Sequence, residues 1–204
     1  MDQKEFVFGR AERVAARSDQ GEWTHDTAAS ETAKKHTRPR LTEAVTTGVM
    51  RLLQGHGFAC LLEVPLNPHR RADIVGLKSS GDICIVEVKS GIEDFRADTK
   101  WPDYSAYADQ FYLAFPEMAR DQALDAHKAA AALAPGVGLI LSDPYGGDIV
   151  IGAKPAPLSG QRRSTLTRKF AVLAARRLTH QRIAEHLSAT GLGSNTERLP
   201  LRLP

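Results

Sequence analysis

Two alternating apolar runs, separated by a short turn, constrain the fold of this chain more than any other feature. "RRADIVGL" (70–77) and "DICIVEVK" (82–89) each alternate with a period of two, as a strand with one buried face does. Because a turn containing glycine lies between them, the pattern predicts a β-hairpin. If the turn is centred on Ser80, Leu77 pairs with Ile83 on the apolar face.

The same register gathers charged side chains at the far end of the hairpin. Asp73 lies opposite Glu87, and Lys89 continues the face of Glu87. Directly opposed side chains lie within roughly 5 Å of each other, and a one-residue slip would separate them. Since unpaired charges are costly to bury, this set favours a functional site. The alternative is an exposed sheet edge whose ion pair contributes under about 1 kcal/mol.

Two facing carboxylates repel each other unless a positive charge lies between them. A hard divalent cation provides that charge, and Mg²⁺ binds carboxylate oxygens, a carbonyl and waters. The pattern therefore predicts Mg²⁺, with Mn²⁺ as an alternative ion, held by Asp73 and Glu87. Lys89 would orient or deprotonate a water activated by the metal, or stabilise charge that develops on a phosphate.

The remaining pattern predicts one mixed α/β domain between two tails. Residues 1–40 are polar without a sustained period, which predicts a flexible tail with a short helix over Glu5–Ala16. The domain is expected over 41–187, and 188–204 form a second tail. Its elements are expected in the order helix, three strands, helix, strand, hairpin and long helix, around one small mixed sheet flanked by helices. The expected bounds are a helix from Thr42 to Gly55–Gly57, strands over 58–66, 70–77 and 82–89, a short helix from Pro102 to Tyr107, strands over 110–115, 136–143 and 148–154, and a last helix from about Ser164 to Leu187.

Composition narrows the class of protein only moderately. The chain has 204 residues and a formal net charge of +3, which permits a polyanionic partner without requiring one. Its two cysteines, Cys60 and Cys84, lie in strand-like runs and form neither a disulfide framework nor a zinc motif. Because no apolar stretch is long enough to span a bilayer and no signal peptide is evident, we expect a cytoplasmic protein without a membrane partner.

The last predicted helix carries a one-sided charge. Between Gln161 and Arg182 there is no Asp or Glu, and Arg162, Lys169 and Arg176 recur every seven residues. Such a stripe binds phosphates without reading sequence, so it predicts a face that binds nucleic acid. The alternative is a solvated helix face without a ligand.

Three aromatic residues recur at every third position in the segment before the fourth strand. Trp101, Tyr104 and Tyr107 therefore share one side of a helix. One interpretation is stacking on nucleic acid bases, to which Trp101 would contribute beside Lys100. The other interpretation is core packing against the sheet.

The segments "RADIVGL" and "IVEVK", within an αβββαβ order, resemble the PD-(D/E)XK nuclease superfamily. The resemblance implies a restriction-endonuclease-like core with a C-terminal basic helix. It also implies that Asp73 and Glu87 hold the metal while Lys89 assists the attacking water. The proline of the nominal motif is replaced here by Ala72.

A longer stretch, about residues 45 to 180, is similar to the MmcB-like DNA repair family of bacteria. The similarity is carried by "LEVPL", "DFRADTKWPDY" and "RRSTLTRKFAVLAARRL". It implies a DNA endonuclease of the DNA-damage response, with Glu63 joining the polar site. Glu63 would be a further metal or water ligand, or would pair with Arg70 or Arg71. Nearby motif positions are Asp98, Lys100, Trp101 and Tyr104.

Two functions from different classes follow from these observations. The first is a Mg²⁺-dependent deoxyribonuclease that hydrolyses phosphodiester bonds during DNA repair. The second is a DNA-binding or adaptor protein without catalytic activity, serving a repair or translesion synthesis assembly together with other proteins. The complete set of two acids and a lysine favours the enzyme.

Overall fold

The computed structural model describes residues 27–67 and 70–191, with side chains from residue 39 onward. The predicted short helix over Glu5–Ala16 lies outside these residues, as does most of the predicted C-terminal tail.

Helices and strands follow the predicted order except that a further helix, over Arg120–Leu133, lies between the fourth strand and the last hairpin. The predicted mixed α/β fold class is confirmed. Two short 3-10 helices, Trp101–Tyr107 and Glu117–Ala119, lie on either side of the fourth strand. The bounds are α1 Thr27–Gly55, β1 Ala59–Asn67, β2 Arg70–Leu77, β3 Ile83–Val88, α2 Ile92–Ala97, β4 Gln110–Pro116, α3 Arg120–Leu133, β5 Gly138–Asp143, β6 Gly146–Ile151 and α4 Gly160–Ala189.

Helix α1 begins at Thr27, so the start predicted at Thr42 was wrong. The predicted domain boundary at residue 41 therefore falls inside a helix. The physical reason is that the apolar stripe that packs on the sheet begins only at Val45, whereas the preceding turns carry no apolar period. Beyond the C-terminal end of α1, Gly57 has φ +81, and its N–H donates a hydrogen bond to the Gln54 carbonyl where the chain turns into β1.

The six strands form one sheet in sequential order, β1-β2-β3-β4-β5-β6. The β1–β2, β2–β3 and β5–β6 pairs are antiparallel, whereas the β3–β4 and β4–β5 pairs are parallel. Parallel neighbours need a crossover, and α2 with the first 3-10 helix provides the first of these, and α3 the second. Strand β3 is buried along its whole length because elements cover both faces of the sheet.

Apolar side chains pack on both faces of the sheet. On one face, α1 contributes Val45, Val49 and Leu53, which pack over the central strands. On the other face, Leu166 and Phe170 of α4 join a larger cluster with α2, α3 and the first 3-10 helix. The sheet is therefore a central layer between helices, and charged groups in its middle strands are shielded from water.

The hairpin between β2 and β3 has the predicted register. Leu77 pairs with Ile83, and Val75 pairs with Ile85. Gly81 has φ +88 in the turn, which glycine adopts without steric cost, and its N–H bonds the Lys78 carbonyl.

Helix α4 crosses the edge of the sheet near β1 and continues beyond the packed core. Leu166 and Phe170 are its buried residues, whereas Leu178 and Ile183 are more than half exposed. None of the described helices is both long and apolar enough to cross a membrane.

Candidate functional site

Asp73 and Glu87 face each other where the pairing of β2 with β3 ends. The backbone register stops at Ile74 and Val86, one position before the two acids. Beyond it the side chains continue the hydrogen bonding: the Asp73 N–H donates to Glu87 Oε1 at 3.2 Å, and the Val88 N–H donates to Asp73 Oδ2 at 2.8 Å. Each acid is therefore held by the opposite strand, which fixes both carboxylates without an arginine or lysine between them.

The two acids lie in a poorly solvated position. Glu87 is only 4% exposed, and Asp73 is partly buried. Burial raises the pKa of Glu87, and the nearby charge of Asp73 raises it further, to about 8. Burial also raises the pKa of Asp73, although the Val88 N–H and Lys89 oppose this. The pair is thus costly to ionise fully without an added positive charge.

One oxygen of each carboxylate remains available for a cation. Within the described residues, no donor reaches Asp73 Oδ1 or Glu87 Oε2, and no fully buried side-chain oxygen lacks a partner, so neither of these two oxygens is completely enclosed. In the same part of the chain, no three His, Cys, Asp or Glu side chains gather as a metal cluster. Mg²⁺ commonly binds to one or two carboxylates and keeps several waters. The donor set therefore fits Mg²⁺ or Mn²⁺.

Lys89 lies beside the acids, but it is paired with another residue. Its side chain is 4% exposed, and Nζ donates to Asp98 Oδ2 at 2.5 Å. Asp98 Oδ1 accepts the Lys100 N–H at 2.8 Å, which ties the ion pair to the loop that leads into the first 3-10 helix. Burial raises the pKa of Asp98, but the bonds from Lys89 and Lys100 outweigh burial and hold it below its usual value. The charge of Lys89 still lowers the pKa of both Asp73 and Glu87.

The aromatic residues of the first 3-10 helix belong to the core. Trp101 is 2% exposed and stacks on Phe111 with ring centroids 6.1 Å apart. The prediction that Trp101 stacks on a nucleic acid base is therefore wrong, because its ring is covered by the protein. Tyr104 is buried too, and its hydroxyl donates to the Arg71 carbonyl at 3.3 Å. Burial and the charge of Glu87 raise the pKa of Tyr104 to about 12, so its hydroxyl remains protonated beside the acids.

Glu63 lies next to Asp73 but is paired on the solvent side. The β1–β2 register pairs the residues on either side of Glu63 with those on either side of Asp73. Glu63 has φ +52, an uncommon value for a residue other than glycine. Its carboxylate forms an ion pair with Arg71 Nε at 2.5 Å, and its side chain is 51% exposed. Of the two sequence interpretations, the structure thus shows the ion pair.

The predicted basic stripe is present on α4, although two of its three cations also anchor the helix. Arg162 Nη1 donates to the Ala106 carbonyl at 2.6 Å, and Lys169 Nζ donates to the Leu66 carbonyl at 2.8 Å. Arg176 is exposed and donates to no other described residue. Lys100 is also exposed, on the loop beside the acids.

The predicted stripe, which takes every seventh residue, leaves out Arg168, although the structure brings Arg168 to the same surface. Arg168 lies with Lys169 and Arg176 around a cleft between α4 and β1. With 3.6 residues per turn, positions i+1 and i+8 lie about a quarter of a turn around the helix from position i, so a cleft along that side can include all three. The signal was present in the uninterrupted basic run, but only the packing of α4 against β1 shows which cations share a side.

Fold and site together define a mixed α/β protein with a buried carboxylate pair and a lysine at the end of a hairpin. The model of one family, described as "DNA repair protein MmcB-like", matches residues 29–185. The chain therefore belongs to the MmcB-like family of DNA repair proteins. No curated protein matches the chain.

Several solved structures show similarity to the chain, including the following three. A protein of unknown function from Silicibacter pomeroyi is 34% identical, with a TM-score of 0.60 over 71% of this chain and 92% of its own. A repair endonuclease from Pyrococcus abyssi is 18% identical over 61% of this chain and 50% of its own, with a TM-score of 0.30. SfsA from Pyrococcus furiosus, solved with Ca²⁺, is 12% identical over 65% of this chain and 66% of its own, with a TM-score of 0.29. The last two likenesses are too weak to support an argument.

Proposed function

We propose that this protein is a DNA repair nuclease, dependent on a divalent cation, that hydrolyses phosphodiester bonds. The observation that carries the proposal is the Asp73–Glu87 pair, in which each carboxylate is fixed by a backbone N–H of the opposite strand. Such fixed, repelling acids cost stability, and an open oxygen on each suits a cation. Membership of the MmcB-like family supports DNA as the substrate.

The chain's own residues would divide the work as follows. Asp73 Oδ1 and Glu87 Oε2 would hold Mg²⁺ or Mn²⁺, and the ion would supply Lewis-acid stabilisation of charge at the phosphate. Lys89 would hold its ammonium group against a phosphate oxygen or the attacking water. Asp98 would keep that ammonium group in place, because it is the partner that Lys89 contacts.

One observation favours the second candidate function, a DNA-binding or adaptor protein that works with other repair or translesion synthesis proteins. Lys89 is bonded to Asp98, so its ammonium group is not directed only at the acids. In an adaptor, which cleaves no DNA, the acids and Lys89 would form a structural charge network.

The experiment that tests the proposal is a cleavage screen with single-stranded, duplex, flapped and forked DNA, in Mg²⁺ or Mn²⁺. We expect cleavage by the wild type and none by Asp73→Asn, because asparagine keeps the shape of aspartate but loses its charge. The melting temperature of Asp73→Asn should not fall, since the substitution relieves repulsion. Asp148→Asn is the matched control, as Asp148 is exposed on β6 at the other edge of the sheet.

Unaltered cleavage by a well-folded Asp73→Asn protein would overturn the assignment of the site. If the wild type binds DNA but cleaves none of the substrates with either ion, the adaptor is the better description.

A further inference from the structure

A cleft of about 390 Å³ lies between α4 and the edge strand β1. Its floor is apolar and consists of Val64 and Pro65 from β1 and Val172 and Leu173 from α4. Val172 is 50% exposed, so this apolar surface is accessible to solvent. A concave apolar surface of this size lies in the range of ligand-binding pockets, about 300–1,000 Å³.

The rim of the cleft is cationic. Arg168, Lys169 and Arg176 border it, and neither arginine donates a hydrogen bond to another described residue. Since α4 has no acidic residue from Gln161 to Arg182, no carboxylate on that part of the helix neutralises the rim. The cleft thus combines an apolar floor with positive charges that no described acid offsets, which is complementary to a polyanion that also carries apolar groups.

We propose that this cleft binds single-stranded DNA, with unpaired bases on the apolar floor and phosphates on the rim. In duplex DNA the bases are stacked inside the helix, so a duplex would contact the rim alone and leave the floor uncovered. A single strand exposes its bases, and these pack on apolar, aromatic or guanidinium surfaces while cations follow the backbone. Arg168 and Arg176 offer guanidinium groups at the edge of that floor.

The position of the cleft links it to the candidate catalytic residues. Val64 directly follows Glu63, and the β1–β2 register sets Glu63 across from Asp73. Because β2 is the neighbour of β1, a bound strand would have to cross only one strand of the sheet to reach Asp73. The inference rests on the proposed function for its purpose, and it names an unpaired strand or flap as the substrate class.

The test measures DNA binding without divalent cations, so that it does not depend on cleavage. An oligothymidylate and a blunt duplex of equal length are titrated by fluorescence anisotropy over a range of salt concentrations. We expect the wild type to bind the single strand at least about 10-fold more tightly than the duplex, because only the single strand can pack its bases on the floor.

Two sets of variants separate the floor from the rim. Val172→Gln should weaken single-strand binding by about 5-fold or more without changing the salt slope, as expected for losing a packed base. Leu178→Gln is its control, since Leu178 is an exposed apolar residue of the same helix outside the cleft. Arg168→Gln combined with Arg176→Gln should reduce the log–log salt slope by about 1.4, or about 0.7 for each phosphate contact. Arg182→Gln should leave the slope unchanged, because Arg182 does not line the cleft.

The outcomes are distinguishable from those of the cleavage experiment. Equal binding of duplex and single strand, or equal effects of Val172→Gln and Leu178→Gln, would overturn the inference. Absence of any DNA binding would also overturn it and would favour an apolar protein segment as the occupant. Single-strand binding by a protein that cleaves nothing would sustain the inference while the proposed function fails. If the protein cleaves duplex DNA and the cleft variants do not alter that cleavage, the proposed function is sustained and the inference about the cleft fails.

Discussion

At the scale of single residues, the ion pair of Lys89 with Asp98 decides how the lysine can act. Lys89 is almost fully buried, and Asp98 is the partner its ammonium group contacts, at 2.5 Å. An ammonium group in such a position has few alternative orientations, because leaving Asp98 would expose an unpaired charge to a poorly solvated environment. We therefore regard Asp98 as a residue that positions Lys89.

Replacing Asp98 with asparagine tests this role. Asparagine keeps an oxygen for the Lys100 N–H but removes the charge that holds Lys89, so cleavage should fall by about 10–100-fold, as for other supporting contacts of a site. The charge of Asp98 also contributes to the raised pKa of Glu87, after burial and Asp73. The acidic limb of the pH–rate profile should therefore move to lower pH.

Asp103→Asn is the matched control for this prediction. Asp103 lies on the first 3-10 helix and forms an ion pair with Arg70 of β2. The Asp103 side chain is 58% exposed. Its substitution should change neither the rate nor the pH profile. If Asp98→Asn also leaves both unchanged, Asp98 is not a positioning residue.

At the scale of elements, the contact of α1 with the β5–β6 turn depends on a residue without a side chain. A Cβ atom at Gly48 would lie 1.9 Å from the Asp143 carbonyl oxygen and 2.2 Å from Ser142 Oγ. Ser142 Oγ also donates to the Val45 carbonyl, so the helix and the turn are bonded to each other at this point. The close approach is what lets α1 cover its face of the sheet.

Gly48→Ala should therefore destabilise the protein, although alanine in a helix normally stabilises by up to about 1 kcal/mol relative to glycine. Overpacking typically costs about 1–3 kcal/mol, and here the added carbon meets backbone atoms that cannot move aside. Denaturant unfolding measures the difference. Gly55→Ala is the control, because a Cβ at Gly55 meets nothing within 4 Å and should be neutral or stabilising. An equal or higher stability of Gly48→Ala would show that α1 can shift on the sheet.

At the scale of the whole molecule, the sequence predicted those parts of the fold that depend on local alternation. The hairpin register could be predicted from apolar side chains such as Leu77 and Ile83. A slip of one residue would turn every buried apolar side chain of the strand toward the opposite face of the sheet. Trp101 could not be assigned in the same way, because a spacing of three residues is the same for a ring that stacks on a base and one that packs on Phe111. The Lys89–Asp98 pair likewise depends on how a loop folds back, which no periodicity encodes.

The last prediction concerns the stability of the molecule as a function of pH and cations. In the folded protein the pKa of Glu87 is about 8, whereas an unfolded glutamate titrates near about 4.3. Between these values the folded state binds more protons than the unfolded state, so the free energy of unfolding should decrease as pH rises and should level off above about 8. A divalent cation bound by Asp73 and Glu87 should restore stability at the alkaline end, by about 2.7 kcal/mol when the ion is at 100 times its Kd.

Glu87→Gln should remove both effects, because the amide has no proton to lose and no charge to offer a cation, yet keeps an oxygen for the Asp73 N–H. Thermal unfolding at several pH values, with and without Mg²⁺, measures this directly. Glu43→Gln is the control, since Glu43 is exposed on α1 and should leave the wild-type behaviour intact. If the stability of the wild type neither falls toward alkaline pH nor responds to Mg²⁺, the ionisation of Glu87 does not lower the free energy of unfolding. The acids would then be a structural pair, because a site built to receive a cation should be destabilised until the cation binds.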